Sequence, residues 1–436
     1  MERACVLLTF GCLALIAGSY LGACGRAPLA TAGDELDVRR DLGWAEILHL
    51  RKARDYFTLR ERMNAAPNEE ALPVHFARAL VQQAFNSPDS SNATIAALLA
   101  DGRLPDSLVT ELRQASLANY LRLFEYAAGL AAVEAVLADS ARLEPSDRDD
   151  TRNTRRLFLA LRDVPPQTSE VSGATAMLLE QGRVPVQVND SMRHYIFDTG
   201  ANLSTIMRSE ASAAGLRRIP AGIDVGTSTD LRVTADLAVA ERLTIGQMHF
   251  RHVVFLVLDD SLLTFPGGFR IPGIIGFPVI EQMGEVQLGR DGELMSPAVA
   301  PRRMQQNLAL QELTPLIRVG WNGSLLLCRL DTGADRTQFY EPFYRRFRTQ
   351  VDEAAPLTTR RTGGAGGIRE LPVRVMPDVR LALGDTVAVV DSIEVLVQSI
   401  VRDSAENYLD CNIGHDVLDA FPHYVLNFRD MAFLLH

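Results

Sequence analysis

Two stretches of this chain carry the same acid-bearing string. Phe197-Asp-Thr-Gly-Ala-Asn202 and Leu330-Asp-Thr-Gly-Ala-Asp335 each place a carboxylate after an apolar run and just before a glycine. With Asp, Thr and Gly each at roughly 5–7% of residues, an Asp-Thr-Gly-Ala string is expected on the order of 0.01 times in a chain of this length. Here it occurs twice, and the aspartates at 198 and 331 lie 133 positions apart. A carboxylate is a candidate general acid or base. Two carboxylates brought about 3 Å apart cannot both ionise cheaply, so such a pair keeps one proton over a broad pH range. Gly200 and Gly333 would let the chain turn sharply and present backbone N–H groups to the carboxylates, where a side chain would block the approach. Taken singly, each string is an ordinary strand-to-turn junction; it is the pair that asks for explanation.

The elements around the strings repeat as well. Val184 to Ile206 corresponds to Leu316 to Phe339, Leu243-Thr-Ile-Gly246 to Leu381-Ala-Leu-Gly384, and Gly273-Ile-Ile-Gly276 to Cys411-Asn-Ile-Gly414. The second and third landmarks are 30 positions apart in both copies, and Val286-Gln-Leu288 answers Val425-Leu-Asn427 further on. From residue 170 onward the apolar pattern has a period near two, in short Val, Ile, Leu and Thr runs interrupted by Gly, Pro and Asp, which predicts strands. Two β lobes follow, at 170–300 and 310–436. Before Pro165-Pro166 the period is helical, with apolar positions recurring in Trp44 to Tyr56, Leu72 to Phe85 and Leu108 to Leu137, so residues 34–165 are expected to form a helical bundle or short solenoid. Tyr120 to Pro145 loosely resembles a tetratricopeptide-type helical pair without a strict repeat period. A plain scaffold and a surface for a protein partner both remain open for this part. The expected class is α+β and multidomain, a helical N-terminal domain followed by a duplicated, bilobal all-β unit.

Residues 170 to 436 resemble the retropepsin and pepsin superfamily of aspartic peptidases, in which each lobe contributes one Asp-Thr-Gly. The hydrophobic-hydrophobic-Gly elements of that family are matched by Ile274-Ile275-Gly276 and Asn412-Ile413-Gly414. The resemblance implies an acid-protease fold, a shared water activated by Asp198 and Asp331, no cofactor and no metal, and an extended peptide or protein substrate. It also implies that Thr199 and Thr332 hydrogen-bond across the lobe interface. Thr362-Gly363-Gly364-Ala365-Gly366-Gly367-Ile368 resembles the glycine-rich flap of retropepsins, although a flexible hairpin tip would read the same; the first copy has the less glycine-rich Val225-Gly-Thr-Ser-Thr229 there. No tyrosine lies between Asp198 and Gly276, where pepsins carry a flap tyrosine. His415 follows Gly414 where Phe277 follows Gly276, and reads as a packed surface residue. Ala201 and Ala334 continue the motifs where pepsins usually have a hydroxyl on the outer carboxylate oxygen, which implies a higher pH optimum than a pepsin's. Because the family runs the aspartate strand beside the glycine-element strand, Cys328 and Cys411 would face each other, either as a disulfide or as two buried thiols.

The N-terminus reads as a leader. Arg3 precedes the apolar run Cys5 to Ala17, too short to span a membrane, and Leu21-Gly22-Ala23-Cys24 resembles the lipobox of bacterial lipoproteins, with a plain secretory signal as the alternative. Residues 1–24 are thus expected to stand apart from the fold, with Cys24 carrying lipid and the protein exported and membrane-anchored on the periplasmic or cell-surface side. A formal charge of −10 without a long basic run argues against nucleic acid as a partner. There is no Gly-x-Ser-x-Gly, His-Glu-x-x-His or phosphate loop. The reading is a monomeric aspartic endopeptidase; the competing readings are a noncatalytic peptide-binding lipoprotein and a helical-repeat scaffold on the same fold.

Overall fold

The computed structural model describes residues 7–8, 41–139, 143, 145–226, 232–364, 367–399 and 408–436. Cys24 lies outside the described residues, as do Gly366 and residues 227–231. Within the segment read as a leader, Leu7–Leu8 pair in parallel with Thr362–Gly363, so these two residues lie against the fold from which the sequence set them apart.

Between Trp44 and Leu161 the chain forms seven helices among the described residues: Trp44–Lys52, Tyr56–Ala65, Leu72–Ala84, Pro88–Asp101, Asp106–Arg122, Tyr126–Ala138 and Pro145–Leu161. Local chemistry sets their ends. Pro occupies the first turn of Leu72–Ala84 and Pro88–Asp101, where its missing N–H costs nothing. Asp55 caps the second helix by accepting the Thr58 N–H at 3.1 Å. Gly102, at φ 70°, ends the fourth in a conformation glycine adopts without strain. The run Leu108 to Leu137 is broken at Phe124, which takes φ 58°. No helix among the described residues is long and apolar enough to cross a membrane.

The rest is β, built twice on one plan. In the first lobe the strand Ser191–Phe197 runs parallel to Gly273–Ile275, with Ile196 opposite Ile274, and Gly273–Ile275 is flanked on its other side by antiparallel Ser204–Met207. In the second, Ser324–Leu330 runs parallel to Cys411–Ile413, with Arg329 opposite Asn412, flanked by Gln338–Phe339. Long hairpins follow in both, Arg217–Gly226 with Arg232–Ile245, and Leu357–Gly364 with Gly367–Leu383. The next turn is made by equivalent glycines, Gly246 and Gly384, at φ 56° and 60°. A five-stranded sheet joins the lobes, pairing Glu285–Gly289 with His423–Asn427 in the antiparallel sense.

The helical domain is packed against both lobes. Its first five helices share an apolar core with Ala309, Leu316, Leu327 and Leu409 of the second lobe. Leu157, Phe158 and Leu161 of its last helix join the core of the first. Polar contacts follow the same division. Arg318 pairs with Asp55 at 2.7 Å on one side, and Arg122 with Glu281 at 2.7 Å on the other. Asn153 closes two hydrogen bonds with the backbone of Asp224, in the first hairpin, at 2.7 and 2.8 Å.

Candidate active site

Each aspartate is held at the end of its strand by the glycine element beside it. The Asp198 N–H donates to the Ile275 carbonyl and the Asp331 N–H to the Ile413 carbonyl, both at 3.0 Å. After each motif the chain passes beneath the glycine. A Cβ on Gly276 would lie 2.5 Å from the Leu203 carbonyl carbon, and one on Gly414 2.7 Å from the Ala334 oxygen, so only hydrogen fits at either place. Their N–H groups donate to Ser204 Oγ and Thr337 Oγ1, both at 3.0 Å.

The two motifs then meet at the lobe interface. Thr199 N–H donates to Thr332 Oγ1 at 3.0 Å and Thr332 N–H to Thr199 Oγ1 at 3.1 Å. Each hydroxyl donates across the interface in turn, Thr199 to the Leu330 carbonyl at 2.9 Å and Thr332 to the Phe197 carbonyl at 3.0 Å. Every donor and acceptor of this buried cross-connection is used, so the two loops are fixed relative to each other. Gly200 N–H donates to Asp198 Oδ1 at 2.7 Å and Gly333 N–H to Asp331 Oδ1 at 3.0 Å. Each glycine also lies against the opposite aspartate. A Cβ on Gly200 would come within 2.6 Å of the Asp331 carboxyl carbon, and one on Gly333 within 2.3 Å of that of Asp198. Asp198, Asp331, Thr199, Thr332, Gly200 and Gly333 thus form one buried cluster.

The pair is electrostatically unequal. The two carboxyl groups lie in hydrogen-bonding contact with each other. Burial, then the Asp331 charge and this bond, raise Asp198 well above the ordinary carboxylate range. Burial raises Asp331 too, but the Arg329 charge, the shared bond, Asn412 and the Gly333 N–H pull it back. A pair in which one member holds a proton and the other a charge can deliver acid and base together.

Arg329 was missed in the sequence. Its side chain is 2% exposed; Nη2 lies 3.3 Å from Asp331 Oδ2 and 3.1 Å from the Tyr340 hydroxyl, and Nε donates to Asn412 Oδ1 at 2.9 Å. Asn412, read only as a family landmark, donates its own N–H to Asp331 Oδ2 at 3.1 Å. The second carboxylate oxygen of Asp331 is therefore hydrogen-bonded even though Ala334 stands after the motif glycine. The signal was present in the repeat, because Ile196, Ile274 and Met207 stand where Arg329, Asn412 and Tyr340 do.

The remaining candidates fall around this centre. Cys328 and Cys411 form a disulfide, with Cα atoms 4.6 Å apart. In the first lobe Tyr195 and Gly273 fill the equivalent space, the ring within 2.8 Å of where a Gly273 Cβ would be. His415 is a packed, half-exposed residue; Nε2 donates to the Thr332 carbonyl at 3.0 Å and Nδ1 lies 3.3 Å from Asp419. Burial disfavours its cation, but Asp419 outweighs that and raises its pKa. Gly363, Gly364 and Gly367 end the paired strands of the second hairpin.

Residues 184–279 match the aspartyl protease family. The match ends at Val279, within the first lobe, and the second lobe repeats the strand pairing of the first. Among solved structures the chain is similar to a retropepsin-like aspartic protease from Rickettsia conorii, at 18% identity over 30% of this chain and 92% of that one, with a TM-score of 0.21. It is similar also to Basic 7S globulin from soybean, at 10% identity over 60% of this chain and 94% of that one, with a TM-score of 0.36. No curated protein matches the chain.

Proposed function

We propose that the chain is an aspartic endopeptidase that hydrolyses extended peptides through a water held between Asp198 and Asp331. The observation that carries this is the reciprocal docking of the two motifs, in which each glycine turn packs on the opposite carboxyl and the threonines bond across the interface. One carboxylate takes a proton from the water as its oxygen attacks the scissile carbonyl carbon. The protonated partner gives its proton to the carbonyl oxygen, and collapse of the tetrahedral species then expels the amine as it is protonated. No covalent enzyme intermediate is needed. Both aspartates come from one chain, so a monomer suffices. An extended peptide would bind by main-chain hydrogen bonds to the cleft edges between the lobes.

We place the protein outside the cytoplasm on a lipid attached at Cys24. The Cys328–Cys411 disulfide is compatible with an oxidising compartment. The scaffold reading of the helical domain gains support from its packing on both lobes. The test of the activity is mass-spectrometric readout of a peptide library incubated with the full chain from pH 3 to 8, with and without pepstatin. Defined cut sites that disappear with the inhibitor are expected; binding without cleavage at every pH would favour the noncatalytic reading. Metabolic labelling with a fatty acid, lost in Cys24→Ala, checks the anchor.

A further inference from the structure

The two aspartates sit at equivalent points of a duplicated fold, yet their surroundings are not equivalent. On the Asp198 side, the parallel strand pair next to the motif carries Ile196 opposite Ile274. On the Asp331 side, the same pair carries Arg329 opposite Asn412. Both of these reach Asp331 Oδ2, at 3.3 and 3.1 Å. They also bond each other, Arg329 Nε to Asn412 Oδ1 at 2.9 Å, so neither can turn away without breaking a second contact. Tyr340 holds the guanidinium from the next element, where Met207 stands in the first lobe. A guanidinium keeps its charge even when buried, and its fork is fixed here by three partners. The isoleucines have no polar atom to offer Asp198.

Resting on the peptidase reading above, we propose that Arg329, seated by Asn412 and Tyr340, is the positioning residue that gives the two aspartates fixed roles. It holds Asp331 as the carboxylate that takes the proton of the attacking water, and leaves Asp198 as the acid that protonates the scissile carbonyl. In the step, the water oxygen bonds to the carbonyl carbon while its proton passes to Asp331. The carbonyl π electrons move to oxygen, which receives the proton of Asp198. The dyad ends the step with its proton on the opposite member; as the C–N bond breaks, Asp331 gives its proton to the leaving nitrogen, and a hydroxyl of the diol re-forms the carbonyl by passing its proton to Asp198, which restores the starting dyad.

Several other titratable groups surround Asp331 besides Arg329. Asp198 faces it from the first lobe, and Tyr340 from the segment after Gln338–Phe339. Asp335 follows on its own loop and feels Arg336, His415 and Asp416 as well as Asp331. Of these, Arg329 is the cation with a direct hydrogen bond to the carboxylate. The direction follows. Removing a cation next to the charged member makes the fully protonated dyad easier to form, so the acid limb of the pH profile moves up. The alkaline limb reports loss of the proton from the more distant Asp198 and moves less.

The test is the pH dependence of kcat/KM for the full chain and for Arg329→Met, Arg329→Lys and Asn412→Leu, on a peptide the protein cleaves. Arg329→Met should raise the acid limb by about one pH unit or more, Asn412→Leu by less, and Arg329→Lys should stay close to the parent. A folded Arg329→Met with both limbs unmoved would overturn the proposal. So would an Arg329→Lys limb displaced as far as that of Arg329→Met, because shape rather than charge would then be responsible. Where Arg329→Met does not fold, Asn412→Leu decides: an unmoved acid limb counts against the assignment and a raised one for it. If the full chain cleaves nothing, the peptidase reading falls by itself. Carboxyl 13C NMR of aspartate-labelled full chain then decides the asymmetry. The resonance lost in Asp331→Asn should titrate below the one lost in Asp198→Asn, and the reverse order would refute it.

Discussion

Reducing the Cys328–Cys411 bond should destabilise the protein without removing a single heavy atom. The bond links residues 83 apart in sequence, and both sulfurs are fully buried between the strand that leads to Asp331 and the strand that leads to Gly414. In the chain-entropy description, closing a loop of that length restricts the unfolded chain by an amount worth about 4.5 kcal/mol at 25 °C. How that appears in a melting curve depends on what unfolds together. If the second lobe, about 130 residues, melts by itself, the unfolding entropy of a unit that size converts the loss into roughly 16 °C; if about 400 residues melt as one, it is roughly 5 °C. The small shift is the expected one, because the helical domain packs on both lobes and a five-stranded sheet joins them. Calorimetry of oxidised and reduced full chain, with thiols counted after unfolding, makes the comparison on one protein. A reduced sample that shows both thiols yet melts within about 1 °C of the oxidised one would refute the reasoning.

Three other outcomes follow from the site. Asp198 is raised well above its ordinary value, so its contribution to stability is present below the unfolded carboxylate pKa and is lost as pH rises through the folded one; Asp198→Asn should therefore gain in melting temperature relative to the parent as pH rises above the ordinary carboxylate pKa, and a difference that stays constant with pH would contradict it. Gly333→Ala would push a methyl to within 2.3 Å of the Asp198 carboxyl carbon, and should abolish cleavage while Gly323→Ala, which meets nothing in space but sits at φ 75°, costs about 1 kcal/mol of stability and no activity. Asn153→Ala removes two hydrogen bonds to the Asp224 backbone, and should speed amide exchange along Arg217–Gly226 more than along Leu357–Gly364, as read by mass spectrometry.

The duplicated lobes were legible because the repeat preserved what the fold cannot change: an aspartate, the glycine turn behind it and the glycine element it leans on. Gly276 and Gly414 are required by a backbone less than 3 Å from a would-be Cβ, and such positions survive in sequence. The helix break at Phe124 was not legible, since its φ of 58° is adopted by a residue that carries no turn signal, and the run on either side stays apolar at helical spacing. Nor could the sequence say which faces of the helices were taken. Asn153 reads as a surface amide until the hairpin backbone is seen beside it. Arg329 was hidden for a different reason. A lone arginine in a strand reads as an exposed residue, and only the register that sets it opposite Asn412, two positions before Asp331, turns it inward to the carboxylate. Comparing the copies position by position, rather than motif by motif, would have exposed the change from isoleucine.

The most direct measurement of the central claim is kcat/KM of Asp198→Asn beside the full chain, on one peptide and across the full pH range in which the parent is active. A dyad that needs both an acid and a base loses its chemistry when either is replaced by an amide, so cleavage should fall by at least about 10³-fold at every pH, with the folded state retained by calorimetry. A folded Asp198→Asn protein that keeps cleaving at more than a tenth of the parent rate would contradict the shared-water mechanism.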